Sequence, residues 1–288
     1  MKPDELVSVY LPTHNRCMLL ERAVSSVLRQ SHRNIELLVA DDGSSDGTRE
    51  YLEKLASTDD RVVVLRHDRP KGAPAARNMA IFRASGRFIT GLDDDDEFRE
   101  DRIASFLNHW EKFEAEQAFC CLFSESMMLD GHSSRITTDR KERVEYRDLF
   151  LHNFIGNQIF CLTQSLRDVG GFDERMKAWQ DLETFMRLLR RHGQALRVPE
   201  ATYICHVERD RERISTRHDS VRSAFEMIRE KHVDVPVGLH HRLFLQMFSR
   251  FYGFRPRLAD WKQLLEWRAS PRIAVALLRE TLRSSLSS

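Results

Sequence analysis

Asp93, Asp94, Asp95 and Asp96 stand in a row directly after Gly86-Arg87-Phe88-Ile89-Thr90-Gly91-Leu92, a segment that reads as a strand running out of a core. Four consecutive carboxylates repel one another, so at the end of a buried strand something positive must offset them. A divalent cation carrying a phosphate-bearing ligand would do this, because hard cations take oxygen ligands and carboxylates supply them. The alternative is a solvated acidic turn capping a helix that begins near Phe98. Two further polar clusters follow β-prone runs: Pro12-Thr13, and Asp41-Asp42-Gly43-Ser44-Ser45-Asp46-Gly47-Thr48.

The elements that must position these groups alternate. Residues 7–11, 35–40, 62–65 and 87–92 read as short apolar strands. Residues 19–30, 48–55 and 73–85 carry helical spacing, and Asp46 or Ser45 is placed to cap the second of these helices. This βαβαβαβ order predicts an α/β fold with a mostly parallel central sheet flanked by helices. Ligands of such sheets sit beyond the carboxyl ends of the strands. All three polar clusters fall there, which favours the metal-diphosphate reading of the aspartates over the solvated turn. Farther on, residues 119–123, 126–129, 157–162, 195–198 and 202–205 read as strands. Residues 166–171 resemble a helix end with a glycine stop, and 181–191 a helix with Leu182, Phe185, Met186 and Leu189 on one face. From Asp219 the pattern is helical, over residues 221–231, 239–251, 258–267 and 273–282.

The chain has 288 residues, 41% hydrophobic and 31% charged, so a sizeable core is expected and disorder is not. Its net charge of +1 hides an asymmetry. From Arg209 onward there are 16 Lys and Arg against 9 Asp and Glu, and before it 29 against 35. We therefore expect an acidic domain over residues 1–215 and a basic helical region over 216–288. Met1-Lys2-Pro3-Asp4-Glu5 lacks a signal-peptide pattern, and no run of about 18 apolar residues marks a membrane span. The five cysteines, Cys17, Cys120, Cys121, Cys161 and Cys205, are odd in number and show no CxxC spacing, as reduced thiols would. A cytoplasmic location is expected.

Five stretches together resemble family 2 glycosyltransferases, the large inverting group with the GT-A fold. They are Val7-Ser8-Val9-Tyr10-Leu11-Pro12-Thr13-His14-Asn15-Arg16, the Asp41-Asp42 segment with its preceding Val39-Ala40, the stretch from Gly72 through Ala75-Ala76-Arg77-Asn78-Met79-Ala80, the acidic run in the place of a DxD motif, and Gly170-Gly171-Phe172-Asp173-Glu174 with Trp179-Gln180-Asp181-Leu182-Glu183. The resemblance spans about residues 5 to 215 and implies transfer of a sugar from a nucleotide-diphosphate donor, a UDP-sugar, to a glycan or lipid-linked acceptor. It maps the DxD aspartates onto Asp93 and Asp95. Asp95 is then expected to hold Mn²⁺ or Mg²⁺, Asp93 and Asp94 the donor, and Asp96 to cap the next helix. Asp42 is expected against the nucleobase, with Pro12 and Thr13 lining the same pocket. Arg77, with Asn78 beside it, would pair with the diphosphate or brace the acidic run. Asp181 is expected as the general base that takes the acceptor proton, or as a helix cap. Gln180 stands where many relatives have Glu. His206 would complete the metal site or touch the diphosphate. Trp179 would offer an acceptor platform, or be a core aromatic.

Two other readings are carried. A sugar-phosphate nucleotidyltransferase should show a Gly-rich basic loop after the first strand, and Leu11-Pro12-Thr13-His14-Asn15-Arg16 has no glycine. A degenerate, non-catalytic scaffold should have lost Asp42, Asp95 and Asp181. In the basic region, residues 239–252 are amphipathic and aromatic, and arginines follow on helical stretches. This suits peripheral contact with a membrane surface or a helical cap on the body or a partner. No nucleic-acid reader motif is present.

Overall fold

Val7–Thr13 is mostly apolar and buried on both faces, and forms β1, the middle of a parallel array. The structure is a computed structural model that describes residues 5–131, 133–137, 141–207, 217–249, 251–252 and 254–286. The chain continues through α1 (Cys17–Leu28), β2 (Ile35–Asp41), α2 (Thr48–Ala56), β3 (Val62–Arg66), α3 (Ala73–Arg83) and β4 (Phe88–Gly91). Next come β5 (Glu97–Phe98), α4 (Arg102–Glu114), β6 (Cys121–Leu129), β7 (Ser134–Ile136) and β8 (Arg143–Val144). A 3-10 turn (Tyr146–Phe150) precedes β9 (Phe160–Leu162), α5 (Thr163–Asp168), α6 (Gln180–His192) and β10 (Ala195–His206). Four helices follow, α7 (His218–Lys231), α8 (Val237–Gln246), α9 (Leu258–Glu266) and α10 (Pro271–Leu286).

The sheet runs β3-β2-β1-β4-β9-β6-β10-β5, with β7 on β6 and β8 on β10. The four strands expected from the alternating pattern pair in parallel, and β9 and β5 run antiparallel to their neighbours. Val7, Val9 and Leu11 of β1 pack with Leu20, Val24 and Val27 of α1 and with Ile103, Phe106 and Trp110 of α4 in one core cluster. Alternation turns Ser8, Tyr10 and Pro12 to the other face, where α3 packs on β1 and β2. Pro12 is tolerated inside β1 because its backbone faces the β4 side, and β4 stops pairing at Gly91, opposite Tyr10.

By contacts the chain divides into two units. The first holds Met1–Glu145, Phe154–Glu174 and Asp181–Asp210, and with them the whole sheet. The second holds Tyr146–Asn153, Arg175–Gln180 and Arg211–Ser288. Its core gathers Val221, Phe225 and Ile228 of α7, Leu243 and Phe244 of α8, Leu264 of α9 and Leu277 of α10. Trp267 meets Phe225 and Phe244 there, and Arg222 pairs with buried Asp260.

Three local expectations are corrected. Phe98 belongs to strand β5, paired with β10, and the helix starts only at Arg102, with Asp101 at its N-cap. Residues 195–198 and 202–205 are one strand, β10, with a register shift between Val198 and Tyr203. Residues 121–129 are likewise one strand, β6, running through Ser124 and Glu125.

Candidate active site

Beyond Gly91 the four aspartates form a tight turn, closed by the Asp96 N–H donating to the Asp93 carbonyl at 3.1 Å. The turn sends each carboxylate to a different partner. Asp93 accepts from Arg77 Nη2 at 2.9 Å, Asn157 Nδ2 at 3.0 Å and Gln158 Nε2 at 3.3 Å. Asp94 is buried and accepts from Thr13 Oγ1 at 2.8 Å and Arg16 Nη1 at 2.5 Å. Asp96 is buried and accepts the His206 N–H at 3.1 Å. It therefore ties the turn to β10 and does not cap a helix, which corrects that expectation. Asp95 pairs with Arg16 at 3.7 Å, and its side chain is 28% exposed.

Burial pushes the Asp95 carboxyl up to about 6, helped by repulsion from Asp93 and Asp94 and opposed by Arg16. Burial also raises Asp94, against the pull of Arg16. It lifts Asp96 well above the usual carboxylate range, with Asp93 and Asp95 adding to the effect.

The neighbouring strand end is occupied differently. Burial works against the charge of Asp42, but donors outweigh it and hold the carboxyl below its ordinary range: the Lys71 N–H at 2.9 Å, His67 Nδ1 at 2.7 Å and the Gly72 N–H at 2.7 Å. The Asp42 carboxylate thus fastens the loop that carries Arg69 and Lys71, and this loop borders a basic groove with Arg66, His67 and Asp68. Asp41 pairs with Arg66 at 3.1 Å and accepts the Ser44 N–H at 2.9 Å, which is the work of a turn residue.

Asp181 lies in the first turn of α6, with Oδ1 3.9 Å from Arg77 Nη1. That oxygen is buried without a hydrogen-bond partner, while the side chain as a whole is 26% exposed. Burial pushes the carboxyl up to about 6, Arg77 pulls it down and Asp93 pushes it up. Arg77 is buried, and its guanidinium lies 5.1 Å from the Phe172 ring centre. Burial opposes its charge, but Asp181 and Asp93 more than compensate and keep it cationic. Asn78 does not reach the aspartates. Its amide donates to the Phe172 carbonyl at 2.8 Å and accepts the Phe172 N–H at 2.7 Å, fixing the loop ahead of α6. Gly171 in that loop has φ +66°, and a Cβ there would collide with the Asn78 amide.

Among the described residues no three His, Cys, Asp or Glu side chains converge into a metal cage. The turn does fit an ion of the kind that binds through one or two carboxylates plus a substrate's phosphates. Asp95 supplies such a carboxylate, partly exposed, and its pKa is raised by burial and by repulsion from Asp93 and Asp94. His206 Nε2 sits 2.6 Å from Glu97 Oε1, beside the turn. Trp179 belongs to the second unit and is buried. Its indole N–H donates to Tyr252 Oη at 2.6 Å, the packing of a core aromatic.

Sequence reading gave no role to Arg16, Arg22, Asn157, Gln158 or Tyr203, all of which hold the acidic turn. Arg22 donates to the Asp95 carbonyl at 2.7 Å, and Tyr203 Oη accepts the Asp93 N–H at 3.3 Å. The one available signal was Arg16, which ends the first motif and sits on the same rim.

Residues 8–175 match the Glycosyl transferase family 2 domain. A protein of Escherichia coli K12 named for colanic acid biosynthesis, the glycosyl transferase WcaA, is 32% identical over 269 residues, covering 92% of this chain and 94% of its own. A GalNAc(5)-diNAcBac-PP-undecaprenol beta-1,3-glucosyltransferase of Campylobacter jejuni is 30% identical over 169 residues, 58% of this chain and 55% of its own. The crystal structure of Staphylococcus aureus TarS 1–349 in complex with UDP-GlcNAc superposes with a TM-score of 0.66 at 17% identity, covering 95% of this chain and 79% of that one. A shared fold is what that likeness shows, and it is the GT-A architecture. The family match and the near full-length relative together make this chain a glycosyltransferase of family 2.

Proposed function

We propose that this glycosyltransferase is an inverting enzyme that moves a sugar from a UDP-sugar to a hydroxyl of a glycan or lipid-linked acceptor in surface-polysaccharide assembly. The observation that carries the reading is Asp181, a carboxylate with a pKa near 6 and a buried, unbonded oxygen, joined to the acidic turn through Arg77. In this reading Asp181 takes the proton of the acceptor hydroxyl as its oxygen attacks the anomeric carbon from the face opposite the diphosphate. The bond to the diphosphate oxygen breaks, and a single displacement inverts the centre. Asp95 would hold Mn²⁺ or Mg²⁺, and such an ion supplies positive charge to the departing diphosphate when bound. Asp93 and Asp94, already oriented by Arg77, Thr13 and Arg16, keep the donor-binding role, with Pro12 and Thr13 at the same rim. Asp42 serves the nucleobase end by fixing the 67–72 loop. The names of the relatives, colanic acid and an undecaprenol-linked acceptor, support the polymer class, and the UDP-GlcNAc complex of TarS supports the donor class.

Asp181→Asn tests the reading. The variant should keep its thermal stabilisation by UDP with Mn²⁺ and lose transfer by about 10²–10⁴-fold, the usual worth of a general base. In the parent enzyme kcat should rise with pH through about 6, because only the ionised carboxylate accepts a proton. Loss of UDP binding in Asp181→Asn would remove the base assignment.

A further inference from the structure

The last helix of the second unit is two-faced in an unexpected direction. Ile273 and Leu277 of α10 are buried, yet Val275, Leu278 and Leu282 are exposed at 47, 47 and 57%. Their spacing, i, i+3 and i+7, puts the three on one stripe of the helix. Arg272 and Arg279, three residues before and four after Val275, are also exposed and flank that stripe. Glu280 falls outside the arc, so the exposed arc joins apolar side chains to two cations and carries no carboxylate. On α9, Leu258 and Leu265 are 88 and 78% exposed, seven residues apart and so on one face, while Leu264 is buried. Among the described residues no helix is long and apolar enough to cross a membrane.

We infer that the outward face of α10, with the exposed leucines of α9, is a docking surface for an anionic lipid bilayer. Large aliphatic side chains beside arginines suit the boundary between headgroups and acyl chains, where the apolar groups leave water and the guanidinium groups meet lipid phosphates. The charge of the segment argues for this occupant over an uncharged one: residues 209–288 carry a net +7. The inference reads a surface and does not depend on the proposed reaction, although a lipid-linked acceptor would reside on the same bilayer.

Sedimentation of the full chain with vesicles tests it. The chain should pellet with phosphatidylglycerol–phosphatidylethanolamine vesicles, bind phosphatidylcholine vesicles more weakly, and lose anionic binding as salt rises. Leu278→Gln with Leu282→Gln should lower partitioning by about tenfold or more. Arg272→Gln with Arg279→Gln should erase most of the salt dependence and of the preference for anionic lipid. Each substituted position is exposed, so the melting temperature and the stabilisation by UDP with Mn²⁺ should hold in both variants, and this readout separates a failed surface from a failed donor site. A chain that stays in the supernatant overturns the inference, as does vesicle binding that survives both double variants. A lipid-free dimer that the leucine variant dissociates, seen by light scattering, also overturns it and assigns the face to a second copy.

Discussion

Arg77 lies between two carboxylates that would otherwise repel each other, with Asp93 at 2.9 Å and Asp181 at 3.9 Å. Replacing it with Gln leaves both half-buried acids without their shared cation. Breaking a fully buried pair costs about 3–5 kcal/mol, and partial exposure of both acids reduces that to about 1–3 kcal/mol. The substitution also removes the largest attraction that lowers the Asp181 pKa while Asp93 continues to raise it. Arg77→Gln should therefore melt at lower temperature, and the acidic limb of its pH–rate profile should move above the parent's, at about 6. A variant with an unmoved limb would show that Arg77 does not set the protonation of Asp181. Of these three residues every one was visible in the sequence as a motif member. Bracing of the acidic run by Arg77 was one of the two roles read for it, but its link to Asp181 was not legible, because that link joins positions 77 and 181 through the packing of α3 and α6. Arg16 and Thr13 on Asp94 were hidden for the same reason: an ion pair across 78 residues leaves no local pattern.

At the scale of elements, the acidic turn depends on where β4 ends. Gly91, the last residue of β4, is packed so closely that a Cβ would strike the Tyr10 ring and the Gln158 amide. Gln158 in turn accepts from Tyr10 Oη at 3.1 Å and donates to Asp93. Gly91→Ala should cost about 1–3 kcal/mol by overpacking. It should also weaken UDP–Mn²⁺ stabilisation more than a core substitution of equal destabilisation elsewhere, such as Leu52→Ala on α2. Equal losses from the two variants would separate Gly91 from the site. The elements themselves were readable where period and length agree, as in β1, β2, α3 and α6. They were misread where pairing is non-local. Glu97 and Phe98 follow an acidic run and look like a helix start, yet they pair with Tyr203 and Ile204. Pro199 and Glu200 split β10 in sequence, while the strand carries on past its register shift to His206. The basic region was legible as helices. Which side of each helix stays uncovered depends on packing against α7 and α8, which no single-helix pattern encodes.

For the whole molecule, the site is a source of instability that varies with pH. A carboxyl whose pKa is higher in the folded chain than in the unfolded one binds its proton more tightly when folded. Such a group favours the native state below its unfolded value, near 4, and that favour is lost as pH rises through the folded value. Asp181 is raised from 3.8 to about 6, so the loss falls between about pH 4 and pH 6. At pH 7.5 its ionised form opposes folding by roughly 1–3 kcal/mol, given a shift of about two units worth 1.36 kcal/mol each. Asp181→Asn keeps the shape and discards the charge. It should therefore melt a few degrees above the parent at pH 7.5, and the two proteins should converge only as pH falls to about 4, where the carboxyl is protonated in the folded and the unfolded chain alike. Thermal melts in a chelator, across that pH range, read the difference directly. An Asn variant that melts at or below the parent at pH 7.5 would mean that Asp181 is comfortable as an anion. Its raised pKa would then no longer serve as the mark of a group held ready to take a proton. The cost is what a site prepared for catalysis entails, since the surroundings that strain an empty carboxylate also make it basic enough to act.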